Sequence, residues 1–292
     1  MRRVPRTLVI LNPAARSSRA ASLAREVQTV CEDATVRITT KPGEAHALAK
    51  RAAHEGYEVV VAAGGDGTVN EVVNGMADTG TTLGVLPLGT MNVFALELGI
   101  PTNDLARCWK IIREGRTREI DLPKANDHRF VQLGGVGLDA QTLTETTGEF
   151  KRNWGPLSYV INAAQIAGRE TPRLFAETIH GQIDGSFVLV GNGRLYGGPF
   201  KLFNDAKLDD GKLDLIVFQN LGYLDIVRYL QAILFGQHPE LPDVHYVQSP
   251  WVEVHSNQEV PVEVDGDVIG NLPVRFTLDP LALRVLVPPS DP

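Results

Sequence analysis

The segment Val59-Val60-Val61-Ala62-Ala63 is apolar at every position and runs directly into Gly64-Gly65-Asp66-Gly67-Thr68. A strand with no polar alternation is buried on both faces, which points to a parallel sheet covered by helices. Three glycines within four residues then remove Cβ atoms where the backbone must bend and approach a ligand. A helix opens directly afterwards, so free N–H groups and the positive end of its dipole meet at the turn. That combination is a ready anion site at the carboxyl end of a parallel strand, where open α/β sheets bind their ligands.

The surrounding residues repeat the pattern. Leu8 to Leu11, Val36 to Thr39 and Leu83 to Leu86 read as further strands. Arg19 to Val30, Glu44 to His54, Val69 to Met76 and Asp104 to Glu114 read as helices, the last after the start signal Pro101-Thr102-Asn103. Beyond about residue 117 the texture changes to short strands joined by Gly, Asp and Asn turns. Phe130 to Leu133, Ala176 to His180, Phe187 to Val190, Leu213 to Phe218, Trp251 to His255, Val262 to Val264, Val274 to Leu278 and Leu283 to Val287 are the strand segments. Leu157 to Ala167 and Tyr223 to Leu234 are the helices of this half. The expected architecture is an N-terminal α/β doubly wound domain over residues 1–122 and a mostly antiparallel β-sandwich over residues 123–292. The last strand is a candidate to return to the first domain.

Two features of the first glycine run separate ordinary helix chemistry from ligand chemistry. Thr68 and Glu71 have the spacing of a capping box, which any helix start can use. Capping leaves Asp66 unexplained, and a carboxylate beside phosphates is useful with Mg²⁺ or a proton to accept. A second turn, Pro87-Leu88-Gly89-Thr90-Met91-Asn92, reads as another wall of the same nucleotide cleft, and Asn12-Pro13 as a third loop on the same edge.

Composition narrows the partners. The chain has 292 residues, a hydrophobic fraction of 43% and a charged fraction of 22%, ordinary for globular domains. A net charge of -7 argues against nucleic acid. Arg2, Arg3, Arg6, Arg16, Arg19 and Arg25 nevertheless crowd the start, either as a solvated basic face or as a surface for polyphosphate or anionic lipid. Cys31 and Cys108 read as reduced thiols, with no zinc spacing. The start does not read as a signal peptide. The most apolar stretch, Leu221 to Phe235, is interrupted by Asp225 and Arg228 and falls short of the roughly 18–20 apolar residues of a membrane span. If the protein meets a membrane, it does so from the surface.

Asn12-Pro13, the run Gly64 to Glu71 and Leu88-Gly89-Thr90-x-Asn92 resemble, in order and spacing, the diacylglycerol kinase catalytic-domain family of bacterial lipid kinases, related to sphingosine kinases. Gly134 to Ala140, Tyr196-Gly197-Gly198, Ala206 to Asp214 and Val264-Asp265-Gly266-Asp267 are similar to later family segments. The resemblance implies a lipid kinase using ATP and Mg²⁺, with its active site in the cleft between the domains. On it, Asn12, Thr40, Gly64, Gly65, Asp66, Gly67, Thr68, Asn70, Gly89 and Thr90 line the ATP site. Asp66 acts near the phosphates, Asp267 or Asp265 is the general base, and Asp121 supports the site. A structural Mg²⁺ is held by the Asp210 carboxylate and the carbonyls of Lys207 and Lys212. The partners it implies are ATP, a lipid with a free hydroxyl and a peripheral membrane surface, with a homodimer left open. It implies a cytoplasmic protein that visits the inner face of the membrane. Two departures stand out: Val93 replaces the family's usual aspartate, and Asp267 its usual glutamate.

Other signals carry less. Gly135-x-Gly137-x-x-Ala140 imitates a dinucleotide fingerprint in a β-rich setting, and is read as glycine turns with Asp139 at most a substrate-side group. Asp209-Asp210-Gly211 is equally a hairpin turn or a metal loop. The helix Leu157 to Ala167 is either core or an apolar wall for an acyl chain. An NAD kinase shares the Gly-Gly-Asp-Gly-Thr element and is the alternative enzyme; a non-catalytic nucleotide or lipid regulator is the alternative of another class.

Overall fold

The computed structural model describes residues 5–13, 20–137 and 171–289. Asp139 and the segment Leu157 to Ala167 lie outside them. The chain forms two units: residues 1–122 with 280–292, and residues 123–279. It leaves the first within β5 (Thr117–Ala125) and returns within the last strand, β18 (Val274–Leu286).

The first unit contains β1 (Thr7–Leu11), β2 (Thr35–Ile38), β3 (Val59–Gly64) and β4 (Thr82–Pro87). They lie in the order β2-β1-β3-β4 with the end of β18 beside β4, and every one of these pairings is parallel. All residues of β3 and β4 are buried, so both faces are covered, as the unbroken apolar runs require. The helices are α1 (Ala20–Val30), α2 (Glu44–His54), α3 (Asp66–Met76), α4 (Val93–Glu97) and α5 (Leu105–Glu114). Helices α2 and α3 pack against each other, closely enough that a Cβ on Gly75 would stand 2.3 Å from the His46 carbonyl oxygen. The sequence reverses direction across the sheet between β1 and β3. Their carboxyl ends form the topological switch point at which such sheets bind ligands.

The second unit is antiparallel. Its strands are β6 (His128–Arg129), β7 (Leu133–Val136), β8 (Leu174–Thr178), β9 (Gly181–Gly185), β10 (Phe187–Gly191), β11 (Leu195–Tyr196), β12 (Phe200–Lys201), β13 (Leu213–Phe218), β14 (Val244–Ser249), β15 (Val252–Ser256), β16 (Pro261–Val264) and β17 (Asp267–Asn271). Six of them pair in the order β14-β13-β10-β7-β16-β17. A second layer runs from the start of β18 through β15 and β8 to β9. Leu213, Leu215 and Val217 of β13 enter a core shared with Leu174, Ala176, Val252, Val254 and Phe276 of the second layer. The intervening Ile216 and Phe218 face the other way, toward Phe203, Tyr229 and Val244. That opposite face is covered in part by α6 (Tyr223–Leu234).

Several readings are corrected. Phe130 to Gln132 is a loop, and the strand begins at Leu133, because the N–H groups of Val131, Gln132 and Leu133 turn to the Asp265 carboxylate. Gly134 to Val136 is therefore strand, not turn. Gly134 is small because a Cβ there would meet the Phe276 ring at 2.6 Å. Val274 to Leu278 and Leu283 to Val287 belong to one strand, β18. Asp121 lies inside β5.

Candidate active site

Parallel pairing brings the chain beyond the carboxyl ends of β1, β2, β3 and β4 to one sheet edge. Asn12, Thr40, the run Gly64 to Thr68 and the turn at Gly89 all sit there. Asn12 donates from its main chain to the Ala63 carbonyl (2.9 Å) and from Nδ2 to Thr68 Oγ1 (3.1 Å), tying the β1 loop to the start of α3.

The glycines here serve close approach. A Cβ on Gly64 would stand 2.4 Å from Thr68 Oγ1, and one on Gly89 would stand 2.5 Å from the Gly65 Cα. The two glycine turns thus pack backbone to backbone. Asn92, at φ 51°, closes the second turn reciprocally: Gly89 N–H donates to its Oδ1 and its Nδ2 donates to the Gly89 carbonyl, both at 2.9 Å. Asn92 belongs to the turn read in the sequence as a wall of the nucleotide cleft, although the resemblance does not place it among the ATP-lining residues.

Gly67 differs from its neighbours. Its φ is not positive, it is exposed on the first turn of α3, and a Cβ added there meets nothing within 4 Å. Among the described residues, nothing requires glycine at this position.

The expected capping box does not form. Gly65 is the N-cap of α3, and Thr68 is in its first turn. The Glu71 carboxylate instead reaches the N-terminus of α2, accepting from the Gly43 and Ala45 N–H groups at 3.1 Å each. Its role is to tie two helices together, and the partner lies too far along the chain for spacing to reveal.

Asp66 also has a partner that spacing does not show. Its Oδ1 accepts the Phe94 N–H at 3.1 Å, so its carboxylate crowns α4. Burial pushes this carboxyl above its ordinary value, opposed first by the Phe94 and then by the Val93 N–H. The claim that a carboxylate here needs Mg²⁺ or a proton is therefore too narrow. The side chain remains half-buried at the ligand edge. Thr40 is exposed, and both its N–H (2.7 Å) and hydroxyl (2.9 Å) donate to Glu44 Oε2. Asn70 is buried and tied to Asn74 Nδ2 through Oδ1 at 2.8 Å, while Thr90 is exposed.

The acids of the later motifs divide sharply. Asp121 is 1% exposed and accepts the Leu281 N–H at 2.8 Å, fixing a residue with φ 50°. Asp265 and Gly266, at φ 47° and 94°, are the two central residues of a hairpin between β16 and β17. Positive φ at both is the signature of a type I′ turn, for which Asp-Gly is a favoured pair. Both Asp265 oxygens are engaged: Oδ2 by Val131 N–H (2.7 Å), Oδ1 by Gln132 (3.1 Å) and Leu133 (3.0 Å). That leaves Asp265 poorly suited to take a proton. Asp267 begins β17 and is exposed.

In the loop before β13, Asp210 Oδ1 accepts the Lys212 N–H at 3.1 Å, and Lys207 is exposed. The neighbouring Asp214 is fully buried, with Oδ1 bonded to the Tyr246 hydroxyl and to Gln248 Nε2 (3.0 Å) and Oδ2 without a hydrogen-bond partner. Burial first, and then the charges of Asp210 and Asp205, push its carboxyl up to about 6. Among the described residues no three His, Cys, Asp or Glu side chains cluster as a metal site.

An α/β unit with glycine turns and an open helix start at a sheet switch point, joined to an antiparallel β unit, is the framework of a nucleotide-dependent phosphotransferase. Residues 6–125 match the diacylglycerol kinase catalytic domain, and residues 134–287 match the YegS C-terminal NAD kinase beta sandwich-like domain. The chain is 35% identical over 248 residues to the diacylglycerol kinase of Staphylococcus aureus, as in strains JH9 and Newman, covering 82% of this chain and 77% of the relative. A crystal structure from Bacillus anthracis str. Sterne superposes with a TM-score of 0.85 at 24% identity, covering 99% of this chain and 97% of that one. Another, of a diacylglycerol kinase from the same organism, gives 0.79 at 23% identity with 99% of each chain covered. The chain belongs to the diacylglycerol kinase catalytic-domain family and is a lipid kinase of that type. Membership of a kinase family carries with it the use of ATP.

Proposed function

We propose that this enzyme transfers the γ-phosphoryl group of ATP to the hydroxyl of diacylglycerol or a closely related lipid. The observation that carries the reading is Gly67. It is exposed at a helix start, its backbone needs no glycine, and among the described residues the space its missing Cβ leaves is open. A phosphate drawn against the α3 N–H groups supplies the reason the chain itself does not. Gly64, Gly65 and Gly89 let the two turns close up behind it, and Asn12, Thr68 and Asn92 hold those turns in place.

Phosphoryl transfer depends chiefly on positioning and on charge stabilisation. In this reading the α3 N-terminus and the two turns hold the polyphosphate, and Asp66 offers its carboxylate at the same edge. Mg²⁺, when bound there, would neutralise charge on the transferring group. Asp267 is the better candidate for the base that accepts the lipid hydroxyl proton, because Asp265 is committed to three backbone N–H groups. Asp121, holding Leu281, supports the fold of its unit rather than the reaction.

The residues proposed for a second, structural Mg²⁺ have suitable chemistry. The Asp210 carboxylate and the Lys207 and Lys212 carbonyls are hard oxygen donors, and Asp214 Oδ2 is a buried carboxylate oxygen with no partner. A cation there would compensate the burial of the Asp214 carboxyl, which is the main cause of its raised value, and the nearby charges of Asp210 and Asp205.

The substrate lives in a bilayer, and among the described residues no helix is long and apolar enough to cross one. The enzyme is proposed to work at the bilayer surface, on the cytoplasmic side where ATP is supplied. Incubation with γ-labelled ATP and, separately, diacylglycerol, a long-chain base and NAD tests the assignment. Label in phosphatidic acid is the expected result. Label in NADP with none in any lipid would replace this reading with that of an NAD kinase.

A further inference from the structure

One end of the six-stranded sheet in the second unit gathers three chain segments. Strand β7 begins at Leu133, β10 ends at Gly191 and β16 ends at Val264; Gly191 lies opposite Leu133, and Val264 opposite Gly134. Gln132 stands just before β7, Asn192 just after β10, and the Asp265-Gly266 hairpin just after β16. Gln132 is 6% exposed and joins all three. Its N–H donates to Asp265 Oδ1 at 3.1 Å, and its carbonyl accepts the Asn192 N–H at 3.0 Å. Its side-chain Nε2 donates to the Leu195 carbonyl at 3.0 Å.

Gly193 is shaped by that side chain. Its φ is not positive, yet a Cβ there would stand 2.5 Å from Gln132 Nε2 and 2.8 Å from Oε1. The Gln132 amide thus fills the space that a side chain at 193 would take. Held against Gly193 and Leu195, the chain at 131–133 presents three successive N–H groups to the Asp265 carboxylate. The Asp265 N–H donates in return to the Leu133 carbonyl at 2.8 Å, and the Gly266 N–H donates to the buried Glu263 carboxylate.

We infer that Gln132 is a positioning residue for phosphoryl transfer: by anchoring the chain at 131–133 to Leu195 it sets, through Asp265, where the Asp267 carboxylate stands. The inference rests on the reading of Asp267 as the base. The amide of Gln132 is buried and bonded to the backbone of a neighbouring turn, so it acts through Asp265 and not on the reacting atoms. Asp265 is itself committed to three N–H groups, and what its placement leaves free to act is Asp267, exposed one residue beyond Gly266. A two-residue turn has little slack, and Asp267 pairs with Val264 directly across it. Aspartate carries a single methylene, so a shift of this backbone passes to the carboxylate almost in full. Transfer is sensitive to such shifts, since a misplacement of about 1 Å can cost about 10²-fold in rate.

Transfer of labelled γ-phosphate to a dispersed short-chain diacylglycerol tests this, with kcat and the KM for ATP measured below the thermal midpoint of each variant. Gln132→Met keeps the length of the side chain and removes its donor. Gly193→Ala keeps Gln132 and pushes its amide off the Leu195 carbonyl. Each is expected to lower kcat about tenfold or more and to leave the KM for ATP within about twofold of wild type. In the Asp267→Asn background neither should lower kcat further, because the group being positioned is already lost. Should Gln132→Met fail to fold, Gly193→Ala, alone and in the Asp267→Asn background, answers the same question. Wild-type kcat in the folded single variants would overturn the inference while leaving the base in place. A full further loss in the Asp267→Asn background would overturn it too, since Gln132 would then act on something other than the base. Wild-type turnover by Asp267→Asn alone would overturn the reading of Asp267 as the base, and this inference with it.

Discussion

Asp66-Gly67 and Asp265-Gly266 are the same dipeptide in two settings. In the second, Gly266 is demanded by its own backbone at φ 94°, and Asp265 is consumed by three N–H groups. Every feature of that hairpin is explained inside the chain. In the first, Gly67 has no such demand on it, and Asp66 caps α4 while staying half-buried at the ligand edge. A residue whose type the chain itself explains is weak evidence for a ligand. A residue whose type the chain leaves unexplained is stronger evidence, and here it is a glycine rather than a carboxylate.

Substitutions in the two settings should therefore fail in opposite ways. Asp267→Asn is expected to slow phosphoryl transfer by about 10²-fold or more while leaving the thermal midpoint unchanged. Asp265→Ala should cost about 3 kcal/mol in denaturant unfolding, because three N–H groups lose one carboxylate. A variant pair with these effects exchanged would move the base to Asp265.

Asp243 gives a pH signature. Arg228 first, then Tyr229 and Asn220, hold its carboxyl well below the usual carboxylate range. Its contribution is present above the unfolded value near 3.8 and is lost as pH falls through the depressed folded value. Asp243→Asn should cost about 2–3 kcal/mol at neutral pH. In urea titrations the gap to wild type should close progressively below about pH 4. A gap that stays constant down to acid pH would show that its hydrogen bonds do not depend on the charge.

The glycines give the smallest and most discriminating pair. Gly67→Ala should raise stability by up to about 1 kcal/mol, since alanine favours a helix, yet raise the KM for ATP. Gly266→Ala should lower stability by about 1 kcal/mol, through strain at positive φ, and leave the KM for ATP unchanged. Equal KM values in both variants would remove the argument from Gly67.

Much of the framework could be read before the structure. Helices α2 and α6 and strand β13 lie where periodicity placed them, because each has a clear apolar stripe or a run broken only once, by Asp214 in β13. Strands β14 and β17 escaped because Val-His-Tyr-Val-Gln-Ser and Asp-Val-Ile-Gly-Asn mix polar residues into half-exposed positions. Helix α4, at five residues, is too short for any period to show. At the site, the glycine turns were visible as composition. Their packing, Gly89 against Gly65, is a tertiary fact. Glu71 reaching Gly43 and Asp66 reaching Phe94 each span 28 residues, beyond any local motif. The Asp-Gly hairpin at 265–266 is legible in the sequence as a turn, whereas the resemblance offers Asp267 or Asp265 as the general base.

The central claim is that the Asp66 edge carries out phosphoryl transfer to a lipid. Transfer of labelled γ-phosphate from ATP to diacylglycerol, compared between wild type and Asp66→Asn, tests it most directly. Asparagine keeps an oxygen for the Phe94 N–H, so the variant should remain folded. The prediction is labelled phosphatidic acid from wild type and a rate about 10²-fold or more lower from the variant. Variant turnover within about twofold of wild type would contradict the account, because loss of that charge would then be nearly without consequence.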